Sequence, residues 1–174
     1  MSFELDADLD EAQLRAWART LGGQLRGGDV LLLRGAMGTG KTTFTRALAE
    51  GLGVARPERV CSPTYTICMV HRAAPEGLGL VHVDLFRLGE QQGPLSDGAL
   101  GGAFEALGLE HDELPGPGRV LVVEWSELWA EPPAEHLSIE VERVSGSEHT
   151  RRVRVTGQGP RWQASAAPIS EKIQ

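Results

Sequence analysis

Apolar and polar positions follow two periods along the chain, and the switches between them mark out the elements. Val30, Leu31, Leu32 and Leu33 form a short apolar run between Gly27-Gly28-Asp29 and Gly35, the pattern of a parallel strand buried on both faces. Phe44, Ala47, Leu48 and Leu52 then recur at the spacing of one helical face, with Gly51 and Gly53 available to end the helix. Before that strand, Leu14, Trp17 and Leu21 predict a helix stopped by Gly22-Gly23. Asp8-Leu9-Asp10-Glu11 resembles a capping box at its start. Trp17 reads as a core anchor.

Further on, residues 56–70 pass from a loop into a β-rich run. Leu78, Leu80, Val81, Val83 and Leu85 surround Asp84 in a second apolar strand, and Arg119-Val120-Leu121-Val122-Val123-Glu124-Trp125 makes a third. Between these two strands, Gly89 to Gly118 is rich in Gly, Pro and acid, with a helix expected near Ser96 to Leu107. After the break at Pro132-Pro133, residues 137–144 and 151–156 alternate as a β-hairpin around Ser145-Gly146-Ser147. A solvated strand face accounts for Arg151, Arg152 and Arg154 on its second arm. Residues 158–174 read as a disordered tail, leaving residues 1–157 as one domain. There is no internal repeat.

The chemistry is concentrated at the first strand-to-helix switch. Gly35-Ala36-Met37-Gly38-Thr39-Gly40-Lys41-Thr42 fits G-x-x-x-x-G-K-[ST] at every fixed position, and it lies where a phosphate-binding loop must lie. Glycines let successive backbone N–H groups point inward, and the helix that follows adds its positive end. In such a loop Lys41 would supply a mobile charge to the β and γ phosphates, and the Thr42 hydroxyl would be a ligand for Mg²⁺. Of 17 basic residues only Lys41 and Lys172 are lysine, so an arginine-using chain keeps an ammonium here. The fold class that follows is α/β: a P-loop NTPase-like three-layer sandwich, mostly parallel, with an antiparallel C-terminal hairpin.

Two carboxylates complete the candidate site. Asp84 ends an apolar strand in the Walker B manner, although many strands end in Asp. Glu124 ends another beside Trp125, and strand C-termini are where open α/β sheets place ligands. Glu124 is therefore a second candidate for Mg²⁺ or for orienting an attacking water; an edge carboxylate with Trp125 in the core is the alternative. Ser62-Pro63-Thr64 supports two readings, a segment closing on the γ-phosphate or a Pro turn with local hydroxyl bonds, and position leaves both open.

Composition narrows the classes. At 174 residues, 41% hydrophobic and 24% charged, the chain is an ordinary globular domain. Its net charge of −7 argues against direct high-affinity binding of nucleic acid through a basic surface. The chain has no long apolar span and no N-terminal apolar segment, so a cytoplasmic protein without membrane association is expected. Cys61 and Cys68 then read as reduced, structural, buried or partly buried thiols. Cys68 and His71 have no second pair at metal-ligand spacing.

Taken together, Gly35 to Thr43, Ser62-Pro63-Thr64-Tyr65-Thr66, His82-Val83-Asp84-Leu85-Phe86-Arg87-Leu88 and Val123-Glu124-Trp125 resemble the bacterial TsaE (YjeE) ATPases over roughly residues 8–156. The resemblance implies a small P-loop ATPase required for threonylcarbamoyl modification of the adenosine next to the anticodon in tRNA. It implies ATP and Mg²⁺ as cofactors and action with the proteins TsaB and TsaD, which carry out the transfer. By position, Gly38, Thr39, Gly40, Lys41, Thr42 and Thr43 would hold the phosphates, with Thr42, Asp84 and Glu124 toward the metal. Asp84 and Glu124 would be catalytic, and Ser62, Pro63, Thr64 and Trp125 switch-like or partner-linked. The chain departs from the family pattern at Ala36, where an acidic residue is usual, and at Phe86, where tyrosine is common.

The main rival is a small-metabolite P-loop kinase using Asp84 as base and Arg87 as a phosphate clamp. Kinases of that kind carry lid arginines, and Gly89 to Gly118 contains none. Guanine selection by N-K-x-D is excluded in a chain without Asn. A nucleotide-binding scaffold without turnover is the third possibility.

Overall fold

The computed structural model describes residues 4–106 and 114–163. Seven strands form one sheet in the order β1 (Glu4–Asp10), β7 (Thr150–Gln158), β6 (His136–Arg143), β2 (Val30–Arg34), β5 (Arg119–Glu124), β4 (Gly79–Asp84), β3 (Cys68–His71). The four central strands β6, β2, β5 and β4 run parallel, while β7 and β1 on one edge and β3 on the other are antiparallel to their neighbours.

Because strand side chains alternate faces, the apolar runs serve two core layers at once. Leu31, Leu33, Val120 and Val122 face α1 (Glu11–Gly22) and α2 (Lys41–Leu52), whereas Val30, Leu32, Leu121 and Val123 meet Leu95, Leu100, Phe104 and Trp129 on the opposite side. Leu100 and Phe104 belong to α4 (Asp97–Ala106), which follows the short α3 (Phe86–Gln92). The result is the α/β sandwich with a C-terminal hairpin that the pattern predicts.

Several elements differ from expectation. Glu4-Leu5-Asp6-Ala7-Asp8-Leu9-Asp10 is a strand, so Asp8 belongs to β1 and the helix cap is Asp10. Asp10 accepts from the Gln13 N–H, and the Gln13 side chain accepts from the Asp10 N–H, which places the capping box two residues later than predicted. Gly51 does not end α2; Gly53 does, in the left-handed conformation. Gly51 instead lets two helices touch, since a Cβ there would stand 2.0 Å from the Arg19 carbonyl, and one on Gly22 would stand 2.4 Å from that of Leu48. The helix near Ser96 to Leu107 is α4, and Leu107 lies outside the described residues.

Residues 158–163, expected to belong to a disordered tail, are folded. β7 continues to Gln158, and α5 (Pro160–Gln163) places Trp162 in the core at 2% exposure. Arg161 holds the turn by donating to both oxygens of the nearly buried Asp29 at 3.2 Å. An aromatic ring with somewhere to bury outweighs the Gly-Pro composition around it. Residues 164–174 lie outside the described residues.

Candidate functional site

The loop between β2 and α2 is shaped by its glycines. Gly35 has φ 143°, and a Cβ on it would meet the Val141 carbonyl at 2.3 Å, so only glycine lets the loop leave the sheet here. Gly38 and Gly40 also take positive φ, and Gly40 precedes the first residue of α2. Lys41 is 5% exposed and folds back over the loop, its Nζ donating to the carbonyls of Gly35 at 2.6 Å and Ala36 at 3.1 Å. The same ammonium sits 4.3 Å from the Trp125 ring centroid. Burial holds its pKa below the ordinary lysine value, with Glu124, Glu127 and Asp84 pulling it the other way. Arg151 Nε, on β7, donates to the Thr39 carbonyl at 3.0 Å and braces the loop from the hairpin.

The two carboxylates meet the loop because β4 and β5 are parallel neighbours in register, Asp84 opposite Glu124. Both are 2% exposed. The Thr42 hydroxyl lies 3.2 Å and 3.5 Å from the two Glu124 oxygens. Asp84 Oδ2 accepts from Ser62 and Thr64 hydroxyls, each at 2.8 Å, and its Oδ1 accepts from the Phe86 N–H at 2.9 Å. Ser62-Pro63-Thr64 is therefore tied to the second carboxylate, while Pro63 itself is buried behind it. Two non-glycine residues with positive φ flank the site, Ile67 at 66° and Trp125 at 58°; a left-handed β-branched residue is a strained one.

These residues enclose a cleft of about 390 Å³ lined by Gly38, Gly40, Lys41, Thr42, Thr43, Ser62, Thr64, Asp84, Glu124 and Trp125, with Met37 and Phe86 at its edge. Of the residues singled out in the sequence, Thr39 and Pro63 are outside it. The Thr39 hydroxyl turns back to the Ala36 carbonyl at 2.9 Å. A second cleft of about 460 Å³ begins where the first ends, sharing Gly38, Gly40 and Thr43 and bounded by Ala12 and Leu14 of α1 and by His149 and Arg151 of the hairpin.

Sequence reasoning missed that cleft, because its walls come from residues far apart in the chain and no spacing announces them. It also left Arg151 on a solvated face and His82 without a role. His82 was detectable: two residues before Asp84 on a strand, it must share that residue's face. The thiols differ from expectation as well. Cys61 is exposed, and only Cys68 is partly buried, its thiol pushed up to about 11 by burial.

A family model described as threonylcarbamoyl adenosine biosynthesis protein TsaE matches residues 9–153. A tRNA threonylcarbamoyladenosine biosynthesis protein TsaE of Streptomyces coelicolor is 40% identical over 152 residues, covering 86% of this chain and 93% of that protein. One from Bacillus subtilis is 35% identical over 159 residues, covering 91% and 88%. Among solved structures, Bacillus subtilis YdiB superposes with a TM-score of 0.67 at 28% identity, covering 99% of this chain and 95% of the other.

Proposed function

The chain belongs to the TsaE family, and from that membership we propose that it is a cytoplasmic, Mg²⁺-dependent ATPase of tRNA threonylcarbamoyladenosine biosynthesis that acts with TsaB and TsaD rather than transferring the group itself. The observation that carries the reading is the convergence of Lys41, Thr42, Asp84 and Glu124 on one cleft at the C-terminal ends of parallel strands.

The donor set fits the metal. One hydroxyl and two buried carboxylates are all hard oxygen ligands, and Mg²⁺ is commonly held by one or two carboxylates together with substrate phosphates. When bound, the ion would neutralise charge on the β and γ phosphates. Thr42, Glu124 and Asp84 would hold it.

The remaining steps belong to the chain. Backbone N–H groups of Gly38, Gly40, Lys41, Thr42 and Thr43 would cradle the phosphates, the Thr39 N–H being taken by the Ala36 carbonyl, and Lys41 would exchange its two carbonyl contacts for phosphate oxygens. Water oriented by Glu124 attacks the γ-phosphorus as the bond to the ADP oxygen breaks, and the proton it loses passes to the released phosphate. Ser62 and Thr64, now bound to Asp84, form the segment that rearranges when the γ-phosphate arrives or leaves. The nucleoside extends past Thr43 into the second cleft, against Leu14 and Arg151.

Phosphoryl transfer needs positioning and charge neutralisation above all, so a chain lacking a partner-supplied group turns over slowly. ATP turnover by the purified chain with Mg²⁺, alone and with TsaB and TsaD, tests this: low basal release of phosphate that rises with the partners is expected. Lys41→Ala should lose nucleotide binding, and Glu124→Ala should bind ATP without hydrolysing it. Turnover indifferent to partners but stimulated by a small hydroxyl metabolite that becomes phosphorylated would establish a kinase instead.

A further inference from the structure

His82 lies beneath the phosphate cleft and takes no part in the chemistry above. It sits on β4, fully buried at 0% exposure, with Nε2 at 2.8 Å from Glu124 Oε1. Its other nitrogen, Nδ1, is also buried and has no hydrogen-bond partner among the described residues. A carboxylate only accepts, so Nε2 is the donor in this contact.

Keeping an imidazole here is unfavourable unless the one contact matters. A leucine would fill a similar space with no polar atom removed from water, and the residues on either side of His82 in β4, Val81 and Val83, are apolar. What the imidazole does that an apolar side chain would not is hold one oxygen of Glu124. That restraint is needed because Thr42 Oγ1 is almost equidistant from the two carboxylate oxygens and does not select between them. Trp125, the residue after Glu124, is in the left-handed conformation with its ring under Lys41, so the backbone at this point is also committed to one arrangement.

We infer that His82 is a positioning residue for the ATPase reaction: its Nε2–H pins Oε1 of Glu124 and leaves Oε2 directed toward the cleft. The inference rests on the ATPase reading of the cleft.

Three proteins test it: wild type, His82→Leu, which fills the space without a donor, and His82→Gln, whose amide nitrogen falls near the place of Nε2. Circular dichroism and thermal melting establish folding, calorimetry gives ATP affinity, and steady-state kinetics separates kcat from KM. Folded H82L should bind ATP within about threefold of wild type and lose roughly 10–100-fold in kcat, the usual effect of removing a group that orients a metal-site carboxylate. H82Q should recover most of that loss. Wild-type kcat in folded H82L, or H82Q no better than H82L, would overturn the proposal.

Should H82L not fold, long-range ¹H–¹⁵N histidine spectra of the wild type decide the contact without turnover. They should show a hydrogen on His82 Nε2, with the Nε2 resonance displaced in Glu124→Ala; an Nε2 without a hydrogen, or one unmoved by Glu124→Ala, would overturn the inference. A wild-type protein that hydrolyses no ATP, even with its partners, would defeat the ATPase reading and the positioning role with it.

Discussion

At the scale of the residue, burial sorts groups of the same type into different chemistry, and the two cysteines show it. Both come from one short stretch, yet Cys61 is exposed while burial raises the Cys68 thiol to about 11. The thiolate is the reacting species, so Cys68 remains protonated and slow to react until pH approaches that value, whereas Cys61 lies open to a reagent in solvent. A thiol reagent at pH 8 should label Cys61 at least about tenfold faster than Cys68, and Cys61→Ser should remove the fast phase alone. Equal rates would show that the β3 edge opens readily. The sequence could not separate the two cysteines, because the difference depends on which residues of β4 cover β3 and not on their neighbours in the chain. The phosphate loop is the opposite case: Gly35, Gly40, Lys41 and Thr42 were legible because backbone geometry and phosphate chemistry demand those residue types at fixed spacing, whatever surrounds them.

At the scale of the element, strong local periodicity survived and weak composition misled. β2, β5 and α2 were legible because a doubly buried strand and a one-faced helix each impose a pattern that nothing else produces. β1 was misread although Glu4 to Asp10 alternates acid and apolar residues strictly, since the acids beside a helix start also resemble a cap. Its pairing partner β7 lies some 140 residues away in sequence, as the Asp8–Arg152 ion pair records. Residues 158–163 were misjudged in the same way: Gly159-Pro160 suggested disorder, while Trp162 carries the turn inward. Trp162→Ala should therefore cost about 3–5 kcal/mol, the range for emptying a buried aromatic site. For a chain of this size that lowers Tm by roughly 10 °C. A melt displaced by less than about 2 °C would mean that α5 only rests on the surface.

At the scale of the whole molecule, the cleft is where the two core layers are joined. Lys41 and Thr42 begin α2 on one face of the sheet, Phe86 begins α3 beyond Asp84, and Trp125 packs its ring on Phe86 at 4.9 Å while contacting Lys41. A nucleotide gripped by these groups ties β2, β4, β5 and the Ser62–Thr64 segment together, so local binding should stiffen the global fold. The charge distribution points the same way. On the hairpin Arg152 pairs with Asp8 and Arg154 with Glu140 and Glu142, so these two guanidiniums are engaged by carboxylates and the loop is the anion site the cleft provides. A ligand that binds only the native state stabilises it by about 2.7 kcal/mol at one hundred times its Kd. With Mg²⁺, ATP at that concentration should raise Tm by roughly 5–10 °C. Lys41→Ala should abolish the shift, and Glu124→Ala should retain much of it while failing to turn over. Adenosine, which gives the loop no phosphate to hold, should shift Tm little. If wild type and Lys41→Ala respond alike to ATP, the nucleotide is held away from this loop, and the arrangement of Lys41, Asp84 and Glu124 needs another explanation.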